Sequence, residues 1–372
     1  MSRRGIKSRN AGPLIGLCLC VCVACLPSFA SDAQQGPSVV EVEQLASLPA
    51  DIRHPEGLTA DPATGMLYVG TFDARVPEAQ RNNRLLRYAR DGRLLATRGF
   101  GATPITGLAF REEHVYLLNF GASKLQRLPA DFGPNTAIED VATFTRLTPS
   151  APTAREIDNP DGSRDRIDFG SNGLPGINGM TFDLAGNLYV SDSFQGAIYR
   201  IASATTCKPC QVETISRDPL LGTANAALPF GANGLAFDQN EQHLYITNAG
   251  DGRLLRMTMP HGAVTVVAES LPGADGLVRE GDLYWVAANQ ADTVLGIDAQ
   301  GRTRVHAGAF HGIDGDGAPI GLLFPASTAV DGDWMVVVNL ALPLTAAQGD
   351  EWEESATRWT LSRFAIPRRN SK

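Results

Sequence analysis

Short apolar segments alternate with polar turns along most of this chain, and the same arrangement recurs several times. Five segments align: "PEGLTADPATGMLYVGTFD", "ITGLAFREEHVYLLNFG", "INGMTFDLAGNLYVSDSF", "ANGLAFDQNEQHLYITNAG" and "ADGLVREGDLYWVAANQ". Each has a glycine before leucine or methionine, then a short strand, a polar turn and an apolar, aromatic strand. A sixth, weaker copy is "FPASTAVDGDWMVVVNLA". Helical periodicity is scarce, so the pattern predicts an all-β protein built from repeats.

Two further strand-like runs follow most copies, which makes four strands per repeat. Examples are "RLLRYAR" before "RLLATRGF" and "RLLRMTM" before "AVTVVAES". Six repeats of four antiparallel strands are typical of a six-bladed β-propeller. The predicted blades begin near Glu56, Thr106, Asn178, Asn233, Asp275 and Pro325. The last blade lacks an outer strand, and the upstream segment "SVVEVEQLASL" is predicted to supply it and so close the ring.

The predicted domain organisation is a leader at residues 1–30 and a single propeller at residues 31–372. A polar segment at about residues 132–176, rich in glycine, proline and aspartate, interrupts the repeats. We expect this segment to form a loop or lid beside the face of the propeller on which the repeats begin.

The first 30 residues have the features of a secretory signal. "MSRRGIKSRN" carries four basic residues, an apolar run follows at residues 11–26, and Ser28-Phe29-Ala30 supplies a small-x-small cleavage site. The apolar run is too short for a comfortable membrane span. We therefore expect an exported protein, periplasmic or secreted, without a stable membrane span after cleavage. The arginine pair in Ser2-Arg3-Arg4 leaves twin-arginine export open as an alternative to the general route.

Charge and cysteine content narrow the classes of partner. Four of the 32 Lys and Arg residues lie in the leader, which leaves 28 against 40 Asp and Glu, a net charge of −12. Such an acidic chain is a poor candidate for binding nucleic acid or an anionic membrane. Four of the six cysteines also lie in the leader. The remaining pair, Cys207 and Cys210, is predicted to form a local disulfide in an oxidising compartment.

The beginning of each repeat carries oxygen-bearing side chains at one equivalent position. In a propeller the innermost strand of each blade lines the central channel, so these positions converge. They hold Glu56, Thr106, Asn178, Asn233, Asp275 and Pro325. Carboxylate and amide oxygens are the ligands that Ca²⁺ prefers. We expect Ca²⁺ here, with Mn²⁺, Mg²⁺ and Zn²⁺ as alternatives; the absence of cysteine and histidine from the ring argues against zinc. Taken singly, Asn-Gly and Asp-Gly are also common turn dipeptides.

A second set of polar residues ends the second strand of each repeat, at the corner that returns to the same face. Its members are Thr71, Asn119, Asp192, Asn248, Asn289 and Asn339. We expect them to form a wider ring that supports the metal ligands or contacts substrate.

The segments "HPEGL", "INGMTFD", "ANGLAFD" and "ADGL" resemble the metal-ligand motifs of the senescence-marker-protein/gluconolactonase family of six-bladed propellers. Paraoxonases and strictosidine-synthase-like proteins are more distant relatives of that family. The resemblance covers roughly residues 50–340 and implies a bound divalent metal and lactone hydrolysis. It also implies that Glu56, Asn178, Asn233 and Asp275 are the metal ligands, with Asp275 as the catalytic base. Gly176 stands where the family's sugar-lactone hydrolases have an arginine, so their sugar-acid specificity does not carry over.

These observations together predict a metal-dependent lactone or ester hydrolase. A carboxylate beside a cation is a weak base because its pKa falls, so His54 and His311, both in loops near the ring, are candidate assistants. The main alternative is a non-catalytic propeller that binds a partner and holds a structural Ca²⁺. A quinone-dependent sugar dehydrogenase, another alternative, would need a basic cluster that the ring lacks.

Overall fold

Each repeat folds into a four-stranded antiparallel sheet, and six such sheets form a β-propeller. The computed structural model describes residues 36–147, 155–158, 162–167, 175–223, 228–345 and 349–367. A single unit contains all of them except Gly36 and spans Pro37–Lys372. The predicted leader lies outside the described residues. The all-β fold class and the six blades predicted from the repeats are confirmed.

The strands follow the chain blade by blade. Two N-terminal strands come first, β1 (Ser38–Val40) and β2 (Glu43–Ser47). Blade 1 has β3 (Pro55–Ala60), β4 (Leu67–Thr71), β5 (Asn83–Tyr88) and β6 (Leu94–Gly101). Blade 2 has β7 (Ile105–Arg111), β8 (His114–Asn119), β9 (Lys124–Pro129) and β10 (Glu139–Thr143). A separate hairpin follows, with strands β11 (Arg155–Asp158) and β12 (Arg164–Ile167).

The second half of the chain repeats the plan. Blade 3 has β13 (Ile177–Phe182), β14 (Leu188–Asp192), β15 (Ala197–Ile201) and β16 (Glu213–Ser216). Blade 4 has β17 (Ala232–Phe237), β18 (His243–Asn248), β19 (Arg253–Thr258) and β20 (Val264–Ala268). Blade 5 has β21 (Ala274–Glu280), β22 (Leu283–Ala288), β23 (Thr293–Asp298) and β24 (Thr303–Ala307). The hairpin β25 (Phe310–Ile313) and β26 (Pro319–Gly321) precedes blade 6, which has β27 (Pro325–Asp331), β28 (Trp334–Asn339) and β29 (Thr360–Ala365).

Helical structure is confined to single turns in the part of the chain that the structure describes. These 3-10 turns are Glu78–Gln80, Phe120–Ala122, Pro219–Leu221, Asn289–Ala291 and Trp352–Ser355. None of the helices among the described residues is long and apolar enough to cross a membrane.

The N-terminal segment closes the ring, as predicted. Strand β2 pairs antiparallel with β29 and becomes the outer strand of blade 6. The Arg363 guanidinium lies 2.7 Å from the Glu43 carboxylate across this pair. Strand β1 adds a contact that the sequence did not suggest, because it pairs in parallel with β24 as a fifth strand of blade 5. The outer edges of two neighbouring blades are thereby covered by one segment.

The polar segment between blades 2 and 3 is shorter than predicted. Its first part supplies β10, the outer strand of blade 2, and both Phe132 and Phe144 are buried. The predicted boundary at residue 132 was therefore wrong, because an outer strand with one exposed face has the polar composition of a loop. The hairpin of β11 and β12 is the described secondary structure of the remainder. Other parts of the predicted lid lie outside the described residues.

Packing between blades accounts for the recurrent tyrosines. They lie in the second strand of blades 1 to 5 and are all buried: Tyr68, Tyr116, Tyr189, Tyr245 and Tyr284. The rings of Tyr245 and Tyr284, from adjacent blades, stack with centroids 3.7 Å apart. The Cys207–Cys210 disulfide is formed, as predicted, in the link between β15 and β16.

The glycine that opens each of the first five repeats allows adjacent blades to touch by their backbones. A Cβ atom on Gly179 would lie 2.2 Å from the carbonyl oxygen of Asn233 in the next blade. On Gly107 it would lie 2.4 Å from the carbonyl oxygen of Asn178. Real Cβ atoms do not approach oxygen so closely, so any side chain here would push the inner strands apart.

A β-bulge in each inner strand places the residue before this glycine at the hub. The ladder register shifts between Pro55 and Leu58 in blade 1, and the other five inner strands shift at the same point. Pro325 pairs with Asn339 as Pro55 pairs with Thr71. The sixth member of the ring is therefore Ala326. The assignment of Pro325 was wrong by one residue because blade 6 lacks the glycine that marks the register.

Replacing Gly179 by alanine should lower the free energy of unfolding by about 3 kcal/mol, because the added methyl group meets backbone that cannot move without opening the hub. Urea denaturation followed by tryptophan fluorescence would measure the loss. Gly133→Ala is the matched control, since a Cβ there meets nothing within 4 Å. Equal midpoints for the two variants would contradict this account of the hub.

Candidate functional site

Five polar side chains meet at a pocket on the propeller axis, and these five positions are those predicted from the repeats. Glu56, Thr106, Asn178, Asn233 and Asp275 all line one cavity, whose empty space of about 420 Å³ includes the part that is open to solvent. All five are at least nine-tenths buried within the protein. Each lies in a bulge at the beginning of an inner strand, so the repeat itself brings them together.

Glu56 and Asp275 form a buried pair of carboxyl groups. Burial raises the pKa of Asp275 to about 7, although hydrogen bonds from Asn289 and Asn233 lower it. Burial, together with the charge of Asp275, raises the pKa of Glu56 well above its ordinary value. No lysine, arginine or histidine is among the described residues that line this cavity. The pair therefore lacks a positive partner from the described chain.

Two oxygen atoms at the hub have no hydrogen-bond donor among the described residues. Glu56 Oε2 is buried and unpaired, and so is Asn289 Oδ1. The Nδ2 group of Asn289 donates to Asp275 Oδ2 at 3.0 Å. The Nδ2 group of Asn178 donates to the Ser193 hydroxyl at 3.3 Å, and that hydroxyl donates to the Ala232 carbonyl at 2.6 Å. Buried oxygen atoms without donors are costly, and a cation is one kind of group that would satisfy them.

The donor set fits a hard cation in its chemistry. It consists of two carboxyl groups and the amide oxygens of asparagine, which suit Ca²⁺ or a similar ion. The described residues contain no group of three or more His, Cys, Asp and Glu side chains placed to hold a metal. The amides are therefore essential to any metal site here, and the assignment of ligands remains a prediction.

We call the six polar side chains that line the cavity the hub floor: Glu56, Thr106, Asn178, Asn233, Asp275 and Asn289. Thr106 donates its hydroxyl to the Ile177 carbonyl at 2.8 Å, so it is already paired. Of the residues predicted for the outer ring, Asn289 alone is among the described residues that line the cavity.

The other corner residues hold loops rather than face the pocket. Asp192 accepts from the backbone N–H groups of Gly176, Phe194 and Gln195 and from the Tyr199 hydroxyl. Asn248 donates to two carbonyl groups and accepts from the Asp251 N–H group.

Asn119 and Asn339 are bound to neighbouring backbone and side-chain groups in the same way. The prediction that Asn289 is a corner residue was wrong by one residue, because Ala288 pairs with Ala274 as Asn248 pairs with Ala232. Asn289 follows the corner, and its side chain therefore reaches the cavity.

The two histidine candidates do not line the cavity. His54 is buried, its Nδ1 lies 3.0 Å from the Leu340 carbonyl oxygen, and its ring packs against Trp359. Burial lowers the pKa of His54 to about 4, so the ring is neutral at pH 7. His311 is exposed in β25. The expectation that either contacts the ligand ring or substrate finds no support in their contacts, and His54 instead fixes the backbone beside the pocket.

Apolar side chains surround the hub floor, and the sequence analysis missed them. We call this set the apolar wall: Phe72, Leu228, Phe230, Phe324, Leu340, Leu342 and Leu344. A sequence signal existed, because Phe72 and Leu340 each directly follow a corner residue, Thr71 and Asn339. The wall was overlooked because the apolar residues of a strand-rich chain are first assigned to its core.

Comparison with known proteins shows the fold at low sequence identity. No protein-family model matches the chain, and no curated protein matches it. Among solved structures, a luciferin-regenerating enzyme matches with a TM-score of 0.56 and 16% identity over 87% of this chain and 94% of its own. Regucalcin from Agrobacterium tumefaciens, a calcium-binding protein, matches with a TM-score of 0.56 and 14% identity, over 89% of this chain and 97% of its own. A proposed gluconolactonase matches with a TM-score of 0.53 and 17% identity, over 90% of this chain and 96% of its own.

The carboxyl pair should make the free energy of unfolding depend on pH, and Asp275→Asn should remove most of that dependence. In the folded protein the pKa of Asp275 rises from 3.8 to about 7. Between these values the folded chain holds a proton that the unfolded chain has lost, so the cation-free protein gains stability as pH falls through about 7. The free energy of unfolding of the variant should exceed that of the parent by roughly 2 kcal/mol at pH 8. This difference should become smaller towards pH 5. Urea unfolding with a chelator present measures this. A gap that is constant with pH would contradict the raised pKa.

Proposed function

We propose that this propeller is a divalent-cation-dependent hydrolase that acts on a lactone or a related ester. The observation that carries the proposal is the pair of buried carboxyl groups, Glu56 and Asp275, which have no basic partner among the described residues lining their cavity. Keeping two such groups together costs stability unless they bind something positive. The structural likeness to an enzyme, a calcium-binding protein and a proposed gluconolactonase agrees with this interpretation but supports the fold alone.

Glu56, Asn178, Asn233 and Asp275 would hold the cation, for which Ca²⁺ is the first candidate and Mn²⁺, Mg²⁺ and Zn²⁺ the alternatives. When bound, it would polarise the acyl carbonyl of the substrate and stabilise the oxyanion that develops there. Buried Asp275 is otherwise too readily protonated at pH 7, so a nearby positive charge would return it to its ionised form.

The residues of the hub floor have distinct parts in the proposed reaction. Asp275 would accept a proton from the attacking water, whose oxygen adds to the acyl carbon. The bond from that carbon to the ring or ester oxygen then breaks, and the proton passes to the departing oxygen. Asn289 and Asn233 fix the orientation of the Asp275 carboxylate through hydrogen bonds. With substrate packed against it, the apolar wall would help to keep bulk water from this centre.

A second candidate is a non-catalytic propeller that holds a structural Ca²⁺ and binds a partner. The unpaired oxygen atoms of the hub floor would serve a structural ion as well as a catalytic one. The quinone-dependent dehydrogenase has less support, because the described cavity lining contains no basic side chain.

We also propose that the protein works outside the cytoplasm. The Cys207–Cys210 disulfide suits an oxidising compartment, in agreement with the leader predicted from the sequence.

Loss of the carboxylate at residue 275 should strongly reduce turnover. Purified protein assayed on a panel of lactones and aryl esters should hydrolyse at least one of them with Ca²⁺ or Mn²⁺, and not with EDTA. Asp275→Asn should lower kcat/KM by roughly 100-fold or more, because it removes both the base and a charged ligand.

Asp331→Asn is the matched control for that assay, since Asp331 is a buried carboxylate bound to Arg90 and is not part of the hub floor. It should keep its activity within about threefold of the parent. If the folded, cation-loaded parent protein hydrolyses no member of the panel, the hydrolase proposal fails. That result would favour the non-catalytic propeller with a structural Ca²⁺.

Cation binding should release protons. Because the pKa of Asp275 is about 7 without a cation, and only the ionised form binds, affinity for Ca²⁺ should rise by up to about tenfold per pH unit below 7 and level off above it. Calorimetry at pH 6 to 8 in two buffers of different ionisation enthalpy would show both effects. An affinity independent of pH would place the ion elsewhere.

A further inference from the structure

Four phenylalanine rings form a continuous arc over blades 1 to 4, above the hub floor. The rings of Phe72 and Phe120 have centroids 5.3 Å apart, those of Phe120 and Phe194 are 5.7 Å apart, and those of Phe194 and Phe230 are 5.1 Å apart. All four are partly exposed. The two ends of the arc, Phe72 and Phe230, belong to the apolar wall, and the two middle rings pack between them.

The arc follows from the repeat, because its first three rings come just after corner residues. Phe72 and Phe120 directly follow Thr71 and Asn119, and Phe194 lies two residues after Asp192. Partly exposed aromatic rings at one place in three successive blades are more than blade packing requires, since the buried tyrosines already fill the space between blades.

Phe194 occupies the space that a side chain at position 176 would need. A Cβ atom on Gly176 would lie 2.5 Å from Cγ of the Phe194 ring. The Asp192 carboxylate fixes this corner by accepting from the N–H groups of both residues. With the ring in place, position 176 has no room for a side chain.

Backbone hydrogen bonds hold the apolar wall in position. The Phe72 N–H group donates to the His54 carbonyl at 2.7 Å, and the Phe230 carbonyl accepts from the Gly250 N–H group at 2.7 Å. On the other side, the Leu340 N–H group donates to the Phe324 carbonyl at 3.1 Å. The wall is therefore preorganised on both sides of the cavity.

Polar groups and apolar groups of the cavity are segregated. The hydrogen-bonding side chains of the described lining all belong to the hub floor, and the remaining lining residues are apolar. A ligand with several hydroxyl groups would leave some of them without hydrogen-bond partners against the wall, which is unfavourable. An alkyl or aryl group would instead be removed from water there, which is favourable.

We propose that the substrate is a lactone or ester with an apolar alkyl or aryl substituent, whose carbonyl faces the hub floor and whose substituent packs against the apolar wall. This assignment of substrate class rests on the proposed hydrolase function. Polyhydroxylated sugar lactones are excluded as preferred substrates by the same segregation.

The test uses γ-lactones of increasing alkyl length, with glucono-δ-lactone as the hydroxylated comparison, on the Ca²⁺-loaded protein. The value of kcat/KM should rise about threefold per added methylene until the cavity is filled, and should be lowest for the sugar lactone. Leu342→Gln should flatten this dependence on length. Leu184→Gln is the matched control, because Leu184 is 80% exposed and does not belong to the apolar wall, and it should leave the dependence unchanged.

A parallel binding series separates this inference from the hydrolase proposal. The ligands are γ-alkyl lactams of the same lengths, which resist hydrolysis, and the readout is their affinity by calorimetry. If lactones are hydrolysed but rates are flat with length or highest for the sugar lactone, the substrate class is overturned and the hydrolase stands. If nothing is hydrolysed but lactam affinity rises with length and falls in Leu342→Gln, the hydrolase fails and the apolar site stands. If lactam affinity does not change with alkyl length, the inference that the apolar wall binds the substituent is overturned.

Discussion

The close approach of neighbouring inner strands at the axis is the constraint on which the rest of the structure depends. Where a glycine follows the ring residue, the carbonyl group of the next blade fills the space of its missing side chain. This contact narrows the hub until side chains from five blades share one cavity. Glu56 and Asp275, which are 219 positions apart in the sequence, are thereby close enough for each to affect the ionisation of the other. The electrostatics of the site are a consequence of backbone packing.

The cavity has two parts with different physical properties, the polar hub floor and the apolar wall. The hub floor concentrates oxygen atoms and removes them from water, which favours protonation or a cation over two bare carboxylates. The apolar wall lowers the local polarity further and so strengthens every charge interaction below it. Neither part alone distinguishes an enzyme from an ion-binding propeller. Their combination, an open apolar entrance above unpaired oxygen atoms, is what favours chemistry on a small molecule.

Sequence repeats were sufficient for the fold and for the five polar positions at the hub, because a propeller converts one repeated position into one point in space. The sequence was less informative where a residue's role depends on its neighbours. Asn248 pairs with the start of its inner strand and holds a loop. Asn289 lies one residue beyond the equivalent position, which Ala288 occupies, and it binds Asp275. Pro325 was placed in the ring because blade 6 lacks the glycine. His54 lies close in sequence to Glu56, but its ring turns towards Leu340 and Trp359.

The pairing of β2 with β29 has a consequence for how the chain folds. The ion pair between Glu43 and Arg363 joins residues 320 positions apart, so blade 6 cannot be completed until the chain has been synthesised beyond Arg363. Closing so long a loop carries a large entropic cost that local strand pairing avoids. Blades built from consecutive strands can form early, while the blade 6 edge stays open until the two ends meet. The pairing of β2 with β29 therefore completes the ring last.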